Sequence, residues 1–372
     1  MSGAPLRIAL LASSQHPIRQ PFAGGLESHV WWLARALSAG GHRVTLFAGP
    51  GSDPALECAH LAVRPLEMSA AAQVDSSMPS TQFMAEHHAY LQLMLDLAGP
   101  LAGAFDVIHN HSLHYLPVAM ADTVPTPILC TLHTPPTPWL ESAIAVSRGQ
   151  GAEFAAVSAH TAAAWAHVVG DIDVIPNGVD LAAWPVGAGG RRLIWFGRLV
   201  PEKGAHLAII AARRAGYPLV LAGPISDTDY FVRSISPHLG SGVTYLGHLE
   251  QPALAEAIGG SAAALVTPVW DEPYGLVVAE ALACGTPVAA FARGGIPEVL
   301  TADCGRLVPP DELGALVRAI PETVGLSRMA ARARAEEHCS DRVMVDAYID
   351  VYRRLTRAHR TGQSSRYPSS TA

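Results

Sequence analysis

The stretch Leu193-Ile194-Trp195-Phe196-Gly197-Arg198-Leu199-Val200-Pro201-Glu202-Lys203-Gly204 sets the reading of the whole chain. Four consecutive apolar residues are too few for a buried helix and end at a glycine. They fit a strand of a parallel sheet covered on both faces. A short polar loop follows, and the spacing predicts a helix beginning around Lys203. The same rhythm recurs outward in both directions. Toward the N-terminus lie the apolar runs Leu6–Leu11, Val44–Phe47, Val107–Ile108, Ile128–Leu132 and Phe154–Val157; toward the C-terminus lie Leu219–Leu221, Val243–Leu246, Ala263–Val266 and Val288–Phe291. The stretches between them have helical spacing, as where Val30, Leu33, Ala34 and Leu37 fall on one face between Gly25 and Gly40. Alternation sustained over most of the chain predicts an α/β protein with two doubly wound, Rossmann-like parallel-sheet domains facing a cleft.

The rhythm breaks at Asp171–Gly190, where Pro176-Asn177-Gly178, Pro185 and the run Gly187–Gly190 supply turn and linker chemistry. This places a hinge near 176–190 and divides the chain into domains 1–175 and 176–341. A terminal helix is expected at about 342–359 and a disordered tail at 360–372. In open parallel sheets ligands bind beyond the C-terminal strand ends, so residues just after the apolar runs are the ones to read for chemistry.

Composition narrows the partners. The chain has 372 residues, 49% hydrophobic and only 15% charged, which excludes a disordered polyelectrolyte. Its net charge of −7 is carried by residues 1–175, which hold 6 Arg against 13 acidic residues. A basic stripe is missing there, so nucleic acid is not an expected partner, and an anionic membrane surface is disfavoured for that half. The five cysteines are far apart with no metal or redox spacing and read as buried thiols of a reducing compartment. No apolar run approaches the roughly 18 residues of a membrane span. A cytoplasmic protein without a transmembrane segment is expected.

Of the 25 basic residues 24 are Arg, and the one Lys is Lys203. A GC-rich genome accounts for the bias but not for where the single Lys survives. Arg198 and Lys203 can converge on one anion at a strand end and helix start, with the helix dipole adding to the field. A solvated Arg198 and a Lys203 paired with Glu202 is the plainer alternative. In Trp270-Asp271-Glu272-Pro273-Tyr274-Gly275-Leu276-Val277-Val278-Ala279-Glu280, Gly275 would open a helix whose free amides at Gly275, Leu276 and Val277 suit a phosphate. Glu280 within that apolar helix needs a partner, either the two hydroxyls of a ribose or a salt bridge. Glu272, before the helix, faces a sugar or caps the helix. Gly24-Gly25 at another helix start allows close approach to a phosphate, or makes an ordinary tight turn. The dinucleotide fingerprint G-x-G-x-x-G is absent there, which counts against an NAD-dependent dehydrogenase. His133 ends the run Ile128–Leu132 and faces the cleft, in a structural or a catalytic role.

These motifs closely resemble those of the family-4 glycosyltransferases of the GT-B fold. Val174-Ile175-Pro176-Asn177-Gly178-Val179-Asp180 looks like that family's interdomain linker. Ala292-Arg293-Gly294-Gly295-Ile296-Pro297-Glu298 and Gly305-Arg306-Leu307-Val308 look like the segments that follow. The segment Tyr217–Tyr230 is similar to glucosyltransferases acting on small pterin-like acceptors. The resemblance implies a retaining, metal-independent transfer of a hexose from a nucleotide diphosphate sugar, of the UDP-glucose kind, to a small-molecule or glycan acceptor, without a cofactor. It implies that Arg198 and Lys203 neutralise the leaving diphosphate, Glu280 holds the ribose and Glu272 contacts the donor sugar beside the Gly275–Val277 amides. It further implies that His133 bonds to that sugar near the reacting centre, that Gly24-Gly25 closes over the diphosphate, and that the final helix crosses back to the first domain.

Other readings compete with this one. Asp171-Ile172-Asp173 and Asp227-Thr228-Asp229 are D-x-D patterns of a kind that binds divalent ions, and His109, His111 and His114 have a spacing that fits zinc. A non-catalytic nucleotide-sugar sensor, a nucleotide-sugar epimerase or a sugar phosphorylase would share the donor motifs.

Overall fold

The computed structural model describes residues 4–366. Thirteen strands form two all-parallel sheets. The first sheet has the order β3-β2-β1-β4-β5-β6-β7, with β1 at Arg7–Leu11, β2 at Arg43–Phe47, β3 at Ala59–Leu61, β4 at Val107–Asn110, β5 at Ile128–Leu132, β6 at Ala152–Ala156 and β7 at Ile172–Val174. The second sheet has the order β10-β9-β8-β11-β12-β13, with β8 at Leu193–Phe196, β9 at Leu219–Ala222, β10 at Val243–Tyr245, β11 at Ala263–Val266, β12 at Val288–Phe291 and β13 at Gly305–Val308. Central strands β5, β8, β11 and β12 are buried along their whole length, because helices cover both faces of each sheet. The expected α/β class with two doubly wound sheets is what the chain adopts.

In each sheet the strand order reverses at one place, between β1 and β4 and between β8 and β11. Ligands bind in the crevice that opens at such a switch point. The loops leaving β1, β8 and β11 carry Gly24-Gly25, Arg198 with Lys203, and Glu272 respectively. Topology thus gathers residues far apart in sequence at one cleft.

The helix after β8 begins at Ala205, two residues later than the spacing suggested. Lys203 instead ends a short 3-10 turn, Pro201–Lys203. Gly204 is the cause. It takes φ +69°, and a Cβ there would stand within bonding distance of the Thr267 carbonyl oxygen. The chain must break before the helix can start.

The stretch between the sheets is pinned rather than loose. A Cβ on Gly178 would collide with the backbone of Asp341, and one on Gly187 with that of Gly259. Asp341 starts the long helix Asp341–Arg366, and Val179 bridges Ser340 just before it. The chain therefore crosses between the sheets twice at one place. Met344, Val345, Tyr348, Tyr352 and Leu355 of that helix share a core with Ile8, Val30 and Leu33 of the first sheet's unit. The tail expected from 360 begins inside this helix, where the Thr361 hydroxyl donates to the carbonyls of Arg357 and Ala358; residues 367–372 lie outside the described residues. Among the described residues no helix is long and apolar enough to cross a membrane. Cys130, Cys284, Cys304 and Cys339 are buried thiols, whereas Cys58 is half-buried.

Candidate active site

A cavity of about 950 Å³ opens between the two sheets. That is ample for a nucleotide sugar. His133, Arg198, Lys203, Glu272, Gly24, Gly25, Gly275, Leu276, Val277 and Glu280 all line it.

The second sheet supplies the charged wall. Lys203 Nζ lies 2.5 Å from Glu272 Oε1 and 5.0 Å from the centre of the Trp270 ring, while Trp270 Nε1 donates to the same carboxylate oxygen at 3.0 Å. The alternative pairing of Lys203 with Glu202 is not adopted. Glu202 instead faces Arg198, at a loose 3.9 Å. Glu272 is held by residues that sequence reasoning quoted without a role. The Gly295 amide donates to the Glu272 carbonyl at 2.7 Å, and a Cβ on Gly294, at φ +60°, would overlap that same carbonyl. The pair Gly294-Gly295 therefore fixes where the Glu272 loop sits.

Gly275 has φ +90° and caps the helix Leu276–Ala283. The first amides of a helix have no partner within it, and those of Leu276 and Val277 make no hydrogen bond among the described residues. Both residues line the cavity. Across it, Gly25 approaches Leu276 closely enough that a Cβ would stand 3.6 Å from its side chain. The Gly24-Gly25 helix start and the Gly275 helix start thus oppose each other over the gap. Glu280 lies one turn into the second helix and is 8% exposed. No hydrogen bond or ion pair reaches its carboxylate among the described residues, and burial pushes its pKa up to about 8. The salt-bridge alternative for Glu280 therefore fails.

The first sheet supplies a histidine cluster. His133 follows β5, and its Nε2 lies 2.9 Å from Nδ1 of His111. His111 Nε2 lies 3.1 Å from His109 Nδ1, which is 2.6 Å from the Tyr352 hydroxyl. His109 Nε2 meets Thr131 Oγ1 at 2.7 Å. His29 stands beside His111 and His133 with ring centres 5.1 and 5.0 Å away, and among the described residues both its nitrogens lack a hydrogen-bond partner. The zinc spacing of His109, His111 and His114 is not assembled. His114 turns away to stack on Tyr90, with ring centres 4.4 Å apart, because its Nδ1 accepts the Leu116 amide. The nitrogens that do gather within 4.8 Å of one another belong to His29, His111 and His133. His29 and Tyr352 escape sequence reasoning because they arrive from two helices remote from β5. In the D-x-D patterns, Asp173 pairs with Arg354, Asp227 accepts the Tyr230 amide as a helix cap and Asp229 pairs with Arg233.

Burial holds all four imidazoles in the neutral form. It lowers the pKa of His29 to about 4 and those of His109, His111 and His133 well below the usual value. An unfolded chain protonates these rings near pH 6.5 while the fold cannot, so the native state binds fewer protons. Stability is then expected to fall as pH drops from about 6.5 toward 4, by up to about 1.4 kcal/mol per pH unit for each ring. Thermal unfolding followed across that interval should show a steep decline in Tm, shallower in His29→Gln. A flat profile would mean that the rings are charged in the fold.

The wall beside the cluster is tied across the cleft. Glu298 accepts the amides of Ala159 and His160, and the Thr161 hydroxyl donates to the Pro273 carbonyl next to Glu272.

Comparison with known proteins bears on the family and the fold. A family model described as "Glycosyltransferase Family 4" matches residues 23–183, and one described as "Glycosyl transferases group 1" matches residues 183–337. The chain is 28% identical to the glycogen synthase of Mycobacterium tuberculosis, over 96% of this chain and 97% of that protein. It is 29% identical to a D-inositol 3-phosphate glycosyltransferase of Mycobacterium avium, over 96% of each chain. Among solved structures, a sucrose-phosphate synthase from Thermosynechococcus elongatus superposes with a TM-score of 0.75 at 22% identity, covering 95% of this chain and 100% of that one. The Anabaena protein HepE, solved in complex with UDP and glucose, superposes with a TM-score of 0.71 at 19% identity, covering 93% and 99%.

Proposed function

Because the chain belongs to the family-4 glycosyltransferases of the GT-B fold, we propose that it moves a hexose from a nucleoside diphosphate sugar, UDP-glucose or a close analogue, to a hydroxyl of an acceptor, with retention and without a metal ion. The observation that carries this reading is the pairing of a charged wall with a buried, unpartnered carboxylate. Lys203, Arg198, and Leu276 and Val277 with their free amides, line the cavity together. Glu280, in the same helix, lacks any partner that a ribose would not supply.

In this reading negative charge grows on the departing diphosphate as the sugar bond breaks. Preorganised cations and amides stabilise that charge without reorganising, which is where most of the rate would come from. Two side-chain cations and a helix start replace the divalent ion of other sugar transferases. Glu272 accepts hydroxyls of the transferred sugar from a backbone fixed by Gly294-Gly295. His133 stays neutral and bonds to the sugar as a dipole, not as an acid. The division into units 1–175 and 176–341 belongs to the same reading: closure about 176–190 brings Gly24-Gly25 onto the diphosphate and expels the water that would hydrolyse the donor.

The test is thermal stabilisation across UDP, GDP and ADP, followed by turnover of the matching sugar nucleotide with and without EDTA. At a ligand concentration a hundredfold above its Kd, about 2.7 kcal/mol of stabilisation is expected. UDP should shift Tm most, and EDTA should leave turnover unchanged. Stabilisation by none of the three would remove the donor site, and turnover lost to EDTA and restored by a divalent ion would overturn the metal-free mechanism. A sensor would bind without turnover, and an epimerase would convert the donor without acceptor.

A further inference from the structure

The cavity continues past the histidines into a region that the donor does not need. The helix Thr81–Ala98 presents Phe83, Glu86 and Tyr90 to it, the loop after β4 presents His114 and Tyr115, and the helix Pro138–Ser147 presents Trp139. These rings touch one another in series. Tyr90 and His114 stack with centres 4.4 Å apart, His114 and Tyr115 at 4.7 Å, Tyr115 and Trp139 at 5.6 Å, and Phe83 meets Trp139 at 5.7 Å. Two of the rings are held by their hydroxyls. The Tyr90 hydroxyl donates to the Ala12 carbonyl at 2.6 Å, and the Tyr115 hydroxyl is 2.9 Å from His87 Nδ1. Yet Trp139 is 60% exposed, although it gives nothing to the core. An exposed tryptophan at the end of an aromatic row, inside a cavity, is a contact surface awaiting a ligand.

Two features limit what that ligand is. Tyr90, His114, Tyr115 and Trp139 lie within 15–28° of parallel to their neighbours, so they stack face to face, cover one another's faces and leave no slot to sandwich a flat heterocycle; the exposed ring of Trp139 ends the row. One exposed aromatic ring at the end of such a row suits the C–H face of a saturated ring. The charges also have one sign. The acidic residues lining the first-sheet side are Glu27 and Glu86, and no Arg or Lys from that side lines the cavity; Arg198 and Lys203 both come from the second sheet. A phosphate or carboxylate on the acceptor would meet carboxylates and find no counter-charge. Glu86 lies one helical turn from Phe83, so a carboxylate that accepts hydroxyl hydrogens stands beside the stacking surface.

We propose that the acceptor is an uncharged sugar ring, free or at the end of a glycan, stacked on Trp139 beside Phe83, with a hydroxyl donated to Glu86. This rests on the transferase reading above and names the substrate class that reading leaves open. The reaction balances as a transfer: the acceptor hydroxyl loses its proton and bonds the anomeric carbon, while the bond from that carbon to the diphosphate breaks.

Initial rates with UDP-glucose as donor separate the outcomes, using maltotriose, glucose, glucose 6-phosphate and a flat phenolic acceptor. Maltotriose or glucose should be glycosylated, and glucose 6-phosphate should be poorer than glucose. Trp139→Ala, at an exposed position, should raise the KM of the sugar acceptor about tenfold, the effect of losing one aromatic anchor, and leave the KM for the donor unchanged. Glu86→Gln should narrow the gap between glucose and glucose 6-phosphate. Preference for the phosphorylated or the phenolic acceptor, or an unaltered acceptor KM in Trp139→Ala, would overturn the proposal. Failure of the donor reading is distinguishable, since it would show as no stabilisation by UDP and no release of UDP with any acceptor.

Discussion

Lys203→Ala is expected to lower kcat about a hundredfold, with the donor saturating, while Lys203→Arg keeps part of the rate. The size follows from removing one preorganised charge from a developing oxyanion, which costs on the order of 3 kcal/mol of transition-state stabilisation. Lys203 is better placed for this than Arg198. Its ammonium is held 2.5 Å from Glu272 and against Trp270, with the side chain 23% exposed, whereas Arg198 is 42% exposed and loosely paired. The same contact complicates the reading of the variant. Removing Lys203 leaves the carboxylate of Glu272, 9% exposed, without its counter-cation, and a broken buried pair destabilises by more than the pair was worth. The double variant Lys203→Ala/Glu272→Gln resolves this by restoring neutrality. If Lys203 acts on the diphosphate, the double variant stays slow even where its Tm recovers. If Lys203 serves only to hold Glu272, the double variant is no slower than Glu272→Gln alone, and the phosphate role falls.

What the sequence made legible, and what it did not, follows from how each feature is built. β8, β11 and β12 were legible because strands buried on both faces are continuous apolar runs. β3 and β7 are sheet-edge strands, Ala59-His60-Leu61 and Ile172-Asp173-Val174, whose mixed and partly exposed residues carry no such signal. β13 was quoted as a motif and not recognised as a strand, since Gly305-Arg306-Leu307-Val308 has only its end residues buried. On the donor side, each candidate residue sits on a single strand–loop–helix unit, so local pattern sufficed to find it. The histidine cluster and the aromatic wall join elements distant in sequence. His109 meets Tyr352 across 243 positions, and nothing local to either announces the other. The role of Gly294 was equally hidden. Its glycine is required by the Glu272 carbonyl lying where a side chain would go, a fact about packing between two loops.

Glu280 yields the second large effect, and its sign is set by burial. In the free protein the carboxyl has a pKa of about 8 because desolvation disfavours the anion and no cation compensates. It is therefore mostly protonated at neutral pH. Ribose hydroxyls that donate to it favour the charged form, so nucleotide binding is expected to expel close to one proton at pH 7. The affinity for UDP should consequently rise with pH, by at most about tenfold per unit, and level off above about pH 8. Calorimetry in buffers of different ionisation enthalpy measures the released proton directly. Glu280→Gln should abolish that release and weaken UDP binding by about ten- to a hundredfold, the worth of a hydrogen bond to a charged group. Subtracting the variant's pH profile removes the nucleotide's own phosphate titration. The free protein provides an independent check with the opposite sign. Its native state keeps a proton that the unfolded chain gives up above about pH 4.5, so this carboxyl makes the fold less stable as pH rises from there to about 8. Glu280→Gln should accordingly be more stable than the native sequence at pH 8 and no more stable at pH 4. A variant that binds UDP with unchanged affinity and unchanged proton release would show that this buried carboxylate does not meet the ribose. A Tm difference independent of pH would show that the carboxyl ionises freely in the fold.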